Sequence, residues 1–328
     1  MEIRTGYARS RSAGDKAPGS RPAGDKAPGS RSAGDKAPGS RSAGDIEIHY
    51  EDLGSEADPP VLLIMGLGAQ LVLWHNEFCQ KIVDRGYRVI RFDNRDVGLS
   101  TKLHGQRADG ALIPNLLRAF LGLRSASVYT LEDMAGDAAA VLDHLGIERA
   151  HIVGASMGGM IAQIFAANYP QRTAALGIIF SSNNSALLPP PAPKALLSLI
   201  KGPHPGSPRE VIVENSVRVS KIIGSPAYMK SDEQLRADAT ETYERCFYPQ
   251  GIGRHFSAIL GTGSLRRYDT RITAPTVVIH GKADILMRPS GGRAIAEAIP
   301  EARLVLFDGM GHDLPEPLWD NIVEELTA

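Results

Sequence analysis

The sequence predicts an α/β fold, with a mostly parallel and doubly wound sheet that carries a helical insertion. Short apolar runs, typical of strands covered on both faces, alternate with helical segments over residues 46–180. This alternation stops over residues 181–271 and resumes over residues 272–328. We therefore expect a core of residues 46–180 and 272–328, with residues 181–271 as a helical cap or lid over the carboxyl ends of the strands. A separate helical domain is the alternative, but this stretch shows no clear core of its own.

The N-terminal residues 1–45 differ in composition from the rest of the chain. Residues 11–40 are three near-identical decamers, and a fourth begins at Arg41 and breaks off after Asp45. These repeats lack aromatic and branched aliphatic residues and are rich in glycine and proline. Burial therefore cannot offset the entropy that ordering would cost. We expect residues 1–45 to be a disordered tail without a catalytic role.

The first strands and helices follow from apolar spacing. Ile46, Ile48 and Tyr50 alternate with polar residues, which is the period-two pattern of a half-exposed strand. A continuous apolar run predicts a buried strand at residues 61–65. A second buried strand is predicted at residues 87–92 and a further strand at about 174–180. Helical spacing predicts helices at residues 74–85, at 131–145 with Thr130 as N-cap and Gly146 as C-cap, and at 157–169.

The second half of the chain begins with an irregular stretch. Five prolines lie between Pro189 and Pro203, followed by helical stretches near residues 209–223 and 232–245. Pro275 then opens a strand that runs through His280. The remaining elements are a helix at residues 291–299, a strand at 303–307 and a final helix from about Pro315.

Composition narrows the class of protein. The chain has 328 residues, 43% of them hydrophobic, which is ample for a core. A net charge of −1 gives no basic surface for nucleic acid, and no apolar run is long enough to span a membrane. Cys79 and Cys246, the two cysteines, lack the spacing of a disulfide framework or zinc site. We expect a cytoplasmic protein that binds neither nucleic acid nor membranes; its oligomeric state stays open.

The stretch from His151 to Gly159 predicts a nucleophile at Ser156. Ile152 and Val153 end a strand pattern, and the residues from Met157 onward read as a helix, so Ser156 lies in the turn between them. Glycines two residues to either side allow the close approach of strand and helix. The Gly-x-Ser-x-Gly string alone is a weak signal, and a small-residue packing turn is the alternative. The strand, turn and helix context favours the nucleophile, with the backbone N–H of Met157 as an oxyanion donor.

A serine nucleophile needs a base and a residue that orients the base. Of the nine histidines, only His312 lies in a glycine loop just after a predicted strand, where we expect a mobile general base. His280 lies inside a strand and is better suited to core hydrogen bonding. Asp284 follows another strand end on the same edge, so it is preferred as the orienting acid over Asp308 and Asp313. The predicted catalytic set is Ser156, Asp284 and His312.

From Ile46 to the C-terminus the chain resembles an α/β-hydrolase. Residues 93–100 are similar to the Asp-x-Arg-x-x-Gly-x-Ser turn of esterase, haloperoxidase-like and cap-bearing members. Together with residues 65–68 and 154–159, they look most like aclacinomycin methylesterase-like serine esterases. The resemblance implies a second backbone oxyanion donor at Leu67. Many members carry His-Gly in that loop, whereas this chain has Met65 before Gly66.

The expected reaction is hydrolysis of carboxylic esters of small molecules through an acyl-enzyme, with no metal or organic cofactor. Serine at position 156 disfavours haloalkane dehalogenase and epoxide hydrolase activity, because those relatives use an aspartate nucleophile. The same triad also serves carbon–carbon bond hydrolases and perhydrolases, which stay as alternatives. A non-catalytic ligand-binding protein of the same fold is a further alternative.

The residues that would line a substrate pocket are not fixed by the sequence. Four aromatic side chains of the expected cap can line an acyl or alcohol pocket, or can belong to the core of the cap itself. They are Phe247, Tyr248, His255 and Phe256.

Overall fold

A single eight-stranded sheet organises the protein. The computed structural model describes residues 2–10, 46–106, 112–200, 202–204 and 206–328. The spatial order of the strands is β1-β2-β4-β3-β5-β6-β7-β8. Strands β1, β2 and β4 pair antiparallel, and all other neighbours pair parallel. The strands are β1 (Ile3–Ser10), β2 (Ile46–Leu53), β3 (Pro60–Ile64), β4 (Arg88–Phe92), β5 (Ala150–Ala155), β6 (Thr173–Ile179), β7 (Thr276–Gly281) and β8 (Arg303–Phe307).

Helices cover both faces of the sheet. Outside the segment between β6 and β7, the helices of the described chain are α1 (Asn76–Val83), α2 (Leu112–Phe120), α3 (Leu131–His144), α4 (Met157–Asn168), α10 (Pro289–Ala298) and α11 (Trp319–Thr327). Successive strand residues point to opposite faces, so Leu62 and Ile64 join one apolar cluster while Val61 and Leu63 join the other. The predicted α/β class with a mostly parallel sheet is confirmed.

Between β6 and β7 the chain forms helices instead of strands. They are α5 (Pro193–Ile200), α6 (Arg209–Ile223), α7 (Asp232–Arg245), α8 (Pro249–Thr262) and the short α9 (Arg266–Asp269). The predicted bounds of α6 and α7 are confirmed, and Ser231 starts α7 with a capping box. The sequence did not predict α5 or α8, since prolines and glycines interrupt their helical patterns. None of the helices in the described part of the chain has the length and apolar character needed to span a membrane.

The expectation of a disordered tail is wrong for the residues before the repeats. Ile3–Ser10 forms strand β1, which pairs with β2 from Ile3↔Leu53 to Ser10↔Ile46. Ala8 is fully buried in the core, and Arg4 donates to the Asp52 carboxylate at 3.1 Å. These ladder bonds and the buried alanine offset the entropy of ordering a short edge strand. Residues 11–45, where the repeats lie, fall outside the described residues.

The turn at residues 93–100 joins the sheet to the inserted helices through buried charges. Asp93 accepts hydrogen bonds from the Leu71 and Leu99 N–H groups and forms an ion pair at 2.8 Å with Arg245 of α7. Asp96 accepts two hydrogen bonds at 2.8 Å from Arg254 of α8. Asp93 of the Asp-x-Arg-x-x-Gly-x-Ser pattern and Asp96, at a variable position within it, therefore connect α7 and α8 to the turn after β4.

Arg95 of the same turn forms a buried ion pair with Asp137 on α3. Its guanidinium donates to both carboxylate oxygens at 2.6 and 2.7 Å, and both side chains are only 1% exposed. Asp137→Ala should lower the free energy of unfolding by about 3–5 kcal/mol, because it leaves a buried cation unpaired. Urea unfolding followed by circular dichroism measures this change.

The matched control lies on the same helix. Asp143 pairs with Arg172 at the surface, where the Asp143 side chain is 67% exposed. Asp143→Ala should cost less than about 1 kcal/mol, because an exposed pair is screened by water. Equal costs for Asp137→Ala and Asp143→Ala would contradict the role assigned to the buried pair.

Candidate active site

Ser156 occupies a strained turn between β5 and α4. Its backbone angles are φ 56° and ψ −122°, a conformation that non-glycine residues rarely adopt. The Ser156 N–H donates to the Ile179 carbonyl at 2.9 Å, and Ser181 Oγ donates to the Ser156 carbonyl at 2.6 Å. These bonds hold the turn, and the half-buried Ser156 side chain projects from it at the carboxyl edge of the sheet.

Glycines on either side of Ser156 allow strand and helix to meet. A Cβ on Gly154 would lie 2.2 Å from the Gly158 carbonyl oxygen, and a Cβ on Gly158 would lie 2.0 Å from the Ile64 carbonyl oxygen. Both contacts are with backbone atoms, which have no rotamer to escape into. The close approach predicted for these glycines is confirmed.

Ser156, His312 and Asp284 form a continuous hydrogen-bonded chain. The distance from His312 Nε2 to Ser156 Oγ is 3.0 Å, and the distance from His312 Nδ1 to Asp284 Oδ2 is 2.7 Å. The His312 side chain is 8% exposed, and the Asp284 side chain is fully buried. The structure therefore brings together all three side chains that the sequence singled out.

One carboxylate oxygen of Asp284 accepts hydrogen bonds from the backbone, and the other faces His312. Its Oδ1 accepts hydrogen bonds from the Leu286 and Met287 N–H groups at 2.8 and 2.9 Å, which leaves Oδ2 for His312. His280 is fully buried and bonds through Nε2 to the Met287 carbonyl at 2.5 Å. Core hydrogen bonding by His280, as the sequence predicted, is confirmed.

The two aspartates near His312 in sequence serve other contacts. Asp308 forms an ion pair with Lys282, and its side chain is 86% exposed. Asp313 accepts a hydrogen bond from Ser225 Oγ, and burial raises the pKa of the Asp313 carboxyl. Neither carboxylate takes the place of Asp284 behind the imidazole.

The loop that carries His312 is fastened to the segment after α6. The His312 N–H donates to the Ile223 carbonyl at 2.8 Å, and the Gly311 N–H donates to Ser225 Oγ at 2.9 Å. A Cβ on Gly311 would lie 2.3 Å from the Gly224 carbonyl oxygen. Gly311 therefore serves close packing, and the structure shows a bonded loop where the sequence suggested a flexible one.

Leu67 and Met157, the oxyanion donors expected from the sequence, both belong to segments that adjoin Ser156. Met157 is the first residue of α4, whose opening N–H groups have no intrahelical partner. Leu67 follows Gly66, where a Cβ would lie 3.4 Å from Ser156 Oγ. Within the described residues, the Leu67 and Met157 N–H groups donate to no backbone or side-chain acceptor. Both N–H groups are therefore available to a ligand, as the prediction of an oxyanion hole requires.

His255 contacts this loop in a way that the sequence did not predict. Its Nδ1 accepts the Gly68 N–H at 3.1 Å, and its Nε2 donates to the Arg95 carbonyl at 2.6 Å. Burial lowers the pKa of His255 to about 4, so the imidazole is neutral at neutral pH. His255 belongs to the supports of the site and not to a substrate pocket.

Other aromatic residues of the insertion contact neighbouring side chains. The Tyr248 hydroxyl accepts a hydrogen bond from Arg254 at 2.9 Å and contacts His104 Nδ1 at 3.1 Å. The ring of Phe247 packs on Tyr243 with centroids 5.1 Å apart, and Phe256 is half-buried. Tyr248 therefore joins the insertion to the segment that carries His104, and Phe247 packs on α7.

Asn94 also holds the loop of residues 66–69, and it lies within a motif that is visible in the sequence. Asn94 donates through Nδ2 to the Met65 carbonyl at 2.9 Å, just before Gly66. Asn94 lies inside the Asp-x-Arg-x-x-Gly-x-Ser motif, so its buried side chain could have been assigned a structural partner. His255 offered no such signal, because helix α8 itself was not predicted.

Comparison with known protein families assigns the class of protein. Residues 59–316 match the family model of the alpha/beta hydrolase fold, and the chain belongs to that family. Among the relatives is rhodomycin D methylesterase DnrP of Streptomyces peucetius, which is 30% identical over 296 residues, covering 85% of this chain and 93% of that protein. The resemblance to methylesterase-like α/β-hydrolases that the motifs indicated is confirmed.

A second group of relatives carries a different activity in its name. The 2-hydroxy-6-oxononadienedioate/2-hydroxy-6-oxononatrienedioate hydrolase of Cupriavidus pinatubonensis is 28% identical over 270 residues, covering 81% of this chain and 84% of that protein. Among solved structures, the enol-lactonase of Burkholderia xenovorans has a TM-score of 0.64 at 23% identity, covering 86% of this chain and 97% of that chain. At this identity the structural likeness shows the fold alone.

Proposed function

We propose that this protein is a serine hydrolase that cleaves carboxylic esters of small molecules through an acyl-enzyme, with Ser156, His312 and Asp284 as its catalytic triad. The observation that carries the proposal is the unbroken chain from Ser156 Oγ through the imidazole to the buried Asp284 carboxylate, at 3.0 and 2.7 Å. Methylesterases of known substrate, such as DnrP, match this chain over most of its length. Methyl esters are therefore the first substrate class to test.

In the first half-reaction, His312 Nε2 takes the hydroxyl proton while Ser156 Oγ attacks the ester carbonyl. The bond to the leaving alcohol then breaks, and His312 returns the proton to that alcohol. Asp284 holds the Nδ1–H tautomer and stabilises the imidazolium that forms in between. Water repeats the sequence on the acyl-enzyme and releases the carboxylic acid.

The charge that develops on the carbonyl oxygen needs its own donors. We assign this role to the Leu67 and Met157 N–H groups, which flank Ser156 and have no other described acceptor. Each such donor contributes roughly 3 to 4 kcal/mol to transition-state stabilisation in comparable sites. The Met157 donor also benefits from its position at the N-terminus of α4.

We further propose that residues 181–271 act as a cap that shapes the substrate pocket. The support comes from contacts that this segment makes with the site. Ile223 and Ser225 bond to the His312 loop, and Ile252 packs against Gly68 beside the expected oxyanion site. Substrate specificity should therefore reside in these helices.

A carbon–carbon bond hydrolase is the second candidate, because relatives named as 2-hydroxy-6-oxononadienedioate hydrolases match 81% of the chain. A direct comparison decides between the two. The purified protein would be assayed against methyl benzoate-type esters, p-nitrophenyl esters of increasing chain length and a vinylogous 1,5-diketone. We expect the kcat/KM for the esters to be at least about tenfold above the kcat/KM for the diketone. Faster cleavage of the diketone would favour the carbon–carbon hydrolase.

A further inference from the structure

Helix α8 contacts the loop of residues 66–69, which we call the oxyanion loop, at two points on one helical face. A Cβ on Gly68 would lie 2.7 Å from Ile252 Cγ1, so Ile252 packs directly over this residue. One turn further on, His255 Nδ1 accepts the Gly68 N–H at 3.1 Å. Residues three apart on a helix share a face, so both contacts come from the same side of α8.

The same helix is itself fixed to the sheet. Arg254 donates two hydrogen bonds to the buried Asp96 carboxylate, both at 2.8 Å. A Cβ on Gly251 would lie 2.0 Å from the Asp96 carbonyl oxygen, which shows how closely the helix backbone approaches this turn. His255 Nε2 adds a third connection by donating to the Arg95 carbonyl at 2.6 Å. The imidazole therefore bridges two backbone segments from a rigid position.

The two hydrogen bonds of His255 influence the direction in which the Leu67 N–H points. Residues 66–69 form a tight turn in which the Ala69 N–H donates to the Gly66 carbonyl at 3.3 Å and Gly68 has φ +65°. In a planar trans peptide the Leu67 N–H points opposite to the Gly66 carbonyl, hence out of this turn. Fixing the next peptide through its N–H fixes the turn, and with it the Leu67 donor.

We propose that His255 is a positioning residue for the oxyanion hole, one that holds the Gly68 N–H so that the Leu67 N–H stays directed at the reacting carbonyl oxygen. The inference rests on the proposed esterase function and adds a residue to its machinery. His255 is fully buried and bonds to the Gly68 N–H and the Arg95 carbonyl, so it acts through the backbone of the loop.

Histidine suits this place because it offers one acceptor and one donor on a short, rigid ring. A peptide N–H only donates and a carbonyl only accepts, so the two partners of His255 select the neutral tautomer with its proton on Nε2. Burial also favours this neutral form, since it lowers the pKa of His255 to about 4.

The test compares two substitutions of similar volume. His255→Gln retains an acceptor and a donor, whereas His255→Met fills the same space with almost no hydrogen-bonding capacity. We expect kcat for a p-nitrophenyl ester to fall about 10- to 100-fold in His255→Met, with KM changed less than about threefold. His255→Gln should retain kcat within about fivefold of the unchanged protein. Each kcat is expressed per site titrated by fluorophosphonate, so that unfolded protein does not count.

A second readout separates positioning from a general structural effect. An aryl trifluoromethyl ketone adds reversibly to Ser156 Oγ and places an oxyanion in the hole, while the serine proton passes to His312. Its affinity should fall in His255→Met by the same factor as kcat/KM, because both report binding of the oxyanion. His204→Gln, at an exposed position in the described residues, is the handling control and should change neither quantity.

Equal kcat values per titrated site for His255→Met and His255→Gln would overturn the inference, as would an unchanged affinity for the ketone. Failure of the proposed function looks different. In that case the unchanged protein would show no fluorophosphonate adduct on Ser156 and no ester turnover, before any variant is compared.

Discussion

Ser156→Ala is expected to lower kcat for ester hydrolysis by about 10⁴- to 10⁶-fold, because it removes the oxygen that we propose forms the acyl-enzyme. The methyl group of alanine fits where the serine side chain lies, so the fold should remain. Steady-state kinetics with a p-nitrophenyl ester measure the loss, and circular dichroism with thermal unfolding confirms that the variant is folded.

The turn at position 156 offers a built-in check on stability. Residue 156 has φ 56° in the folded protein, and alanine tolerates this value no better than serine. The unfolding temperature should therefore change little.

A serine elsewhere in the site provides the control for activity. Ser181→Ala removes the bond to the Ser156 carbonyl but leaves the nucleophile, and it should cost far less activity. Activity of Ser156→Ala within tenfold of the unchanged protein would refute the assigned nucleophile.

Asp284→Asn should lower kcat by about 10⁴-fold although it changes only one group from oxygen to nitrogen. The Leu286 and Met287 N–H groups both donate to Oδ1, so the carboxamide oxygen of the variant must remain on that side. The NH₂ group then faces His312 Nδ1. In this arrangement the imidazole carries its proton on Nε2. Nε2 can then no longer accept the hydroxyl proton of Ser156.

The measurement for Asp284→Asn is a pH–rate profile of kcat/KM, since a change of tautomer alters both the rate and its pH dependence. Asp308→Asn is the matched control. Asp308 is close to His312 in sequence but pairs with Lys282 at the surface, so this variant should keep its rate within about twofold. Comparable losses in the two variants would show that negative charge near the loop, and not the bond to Nδ1, is what matters.

The sequence was sufficient to predict the residues that meet at the carboxyl edge of the sheet. Ser156, Asp284 and His312 each follow a strand signal, and the ends of parallel strands necessarily share one edge. Apolar runs also placed β3, β4, β6 and β8 to within a residue or two. Local patterns were reliable here because apolar residues dominate these short strands, even where arginines interrupt them, as in β4.

The parts that the sequence did not predict depend on tertiary contacts. Ile3–Ser10 lacks a strong strand pattern and becomes a strand only because β2 offers it an edge. Helix α8 contains three glycines and begins at a proline, which weakens its helical signal, yet one of these glycines, Gly251, allows the helix backbone to pack on Asp96. The role of His255 was hidden with that helix, because its partners are backbone atoms 160 and 187 positions away in sequence.

The central claim, that Ser156 is made reactive by His312 and Asp284, is tested most directly by labelling with a fluorophosphonate and locating the adduct by mass spectrometry. We expect one phosphonyl group on the folded protein, on the peptide that contains Ser156, and no adduct in Ser156→Ala. Labelling should also be strongly slowed in Asp284→Asn. A folded protein that takes up no phosphonyl group, or that is labelled equally in Ser156→Ala, would contradict the account.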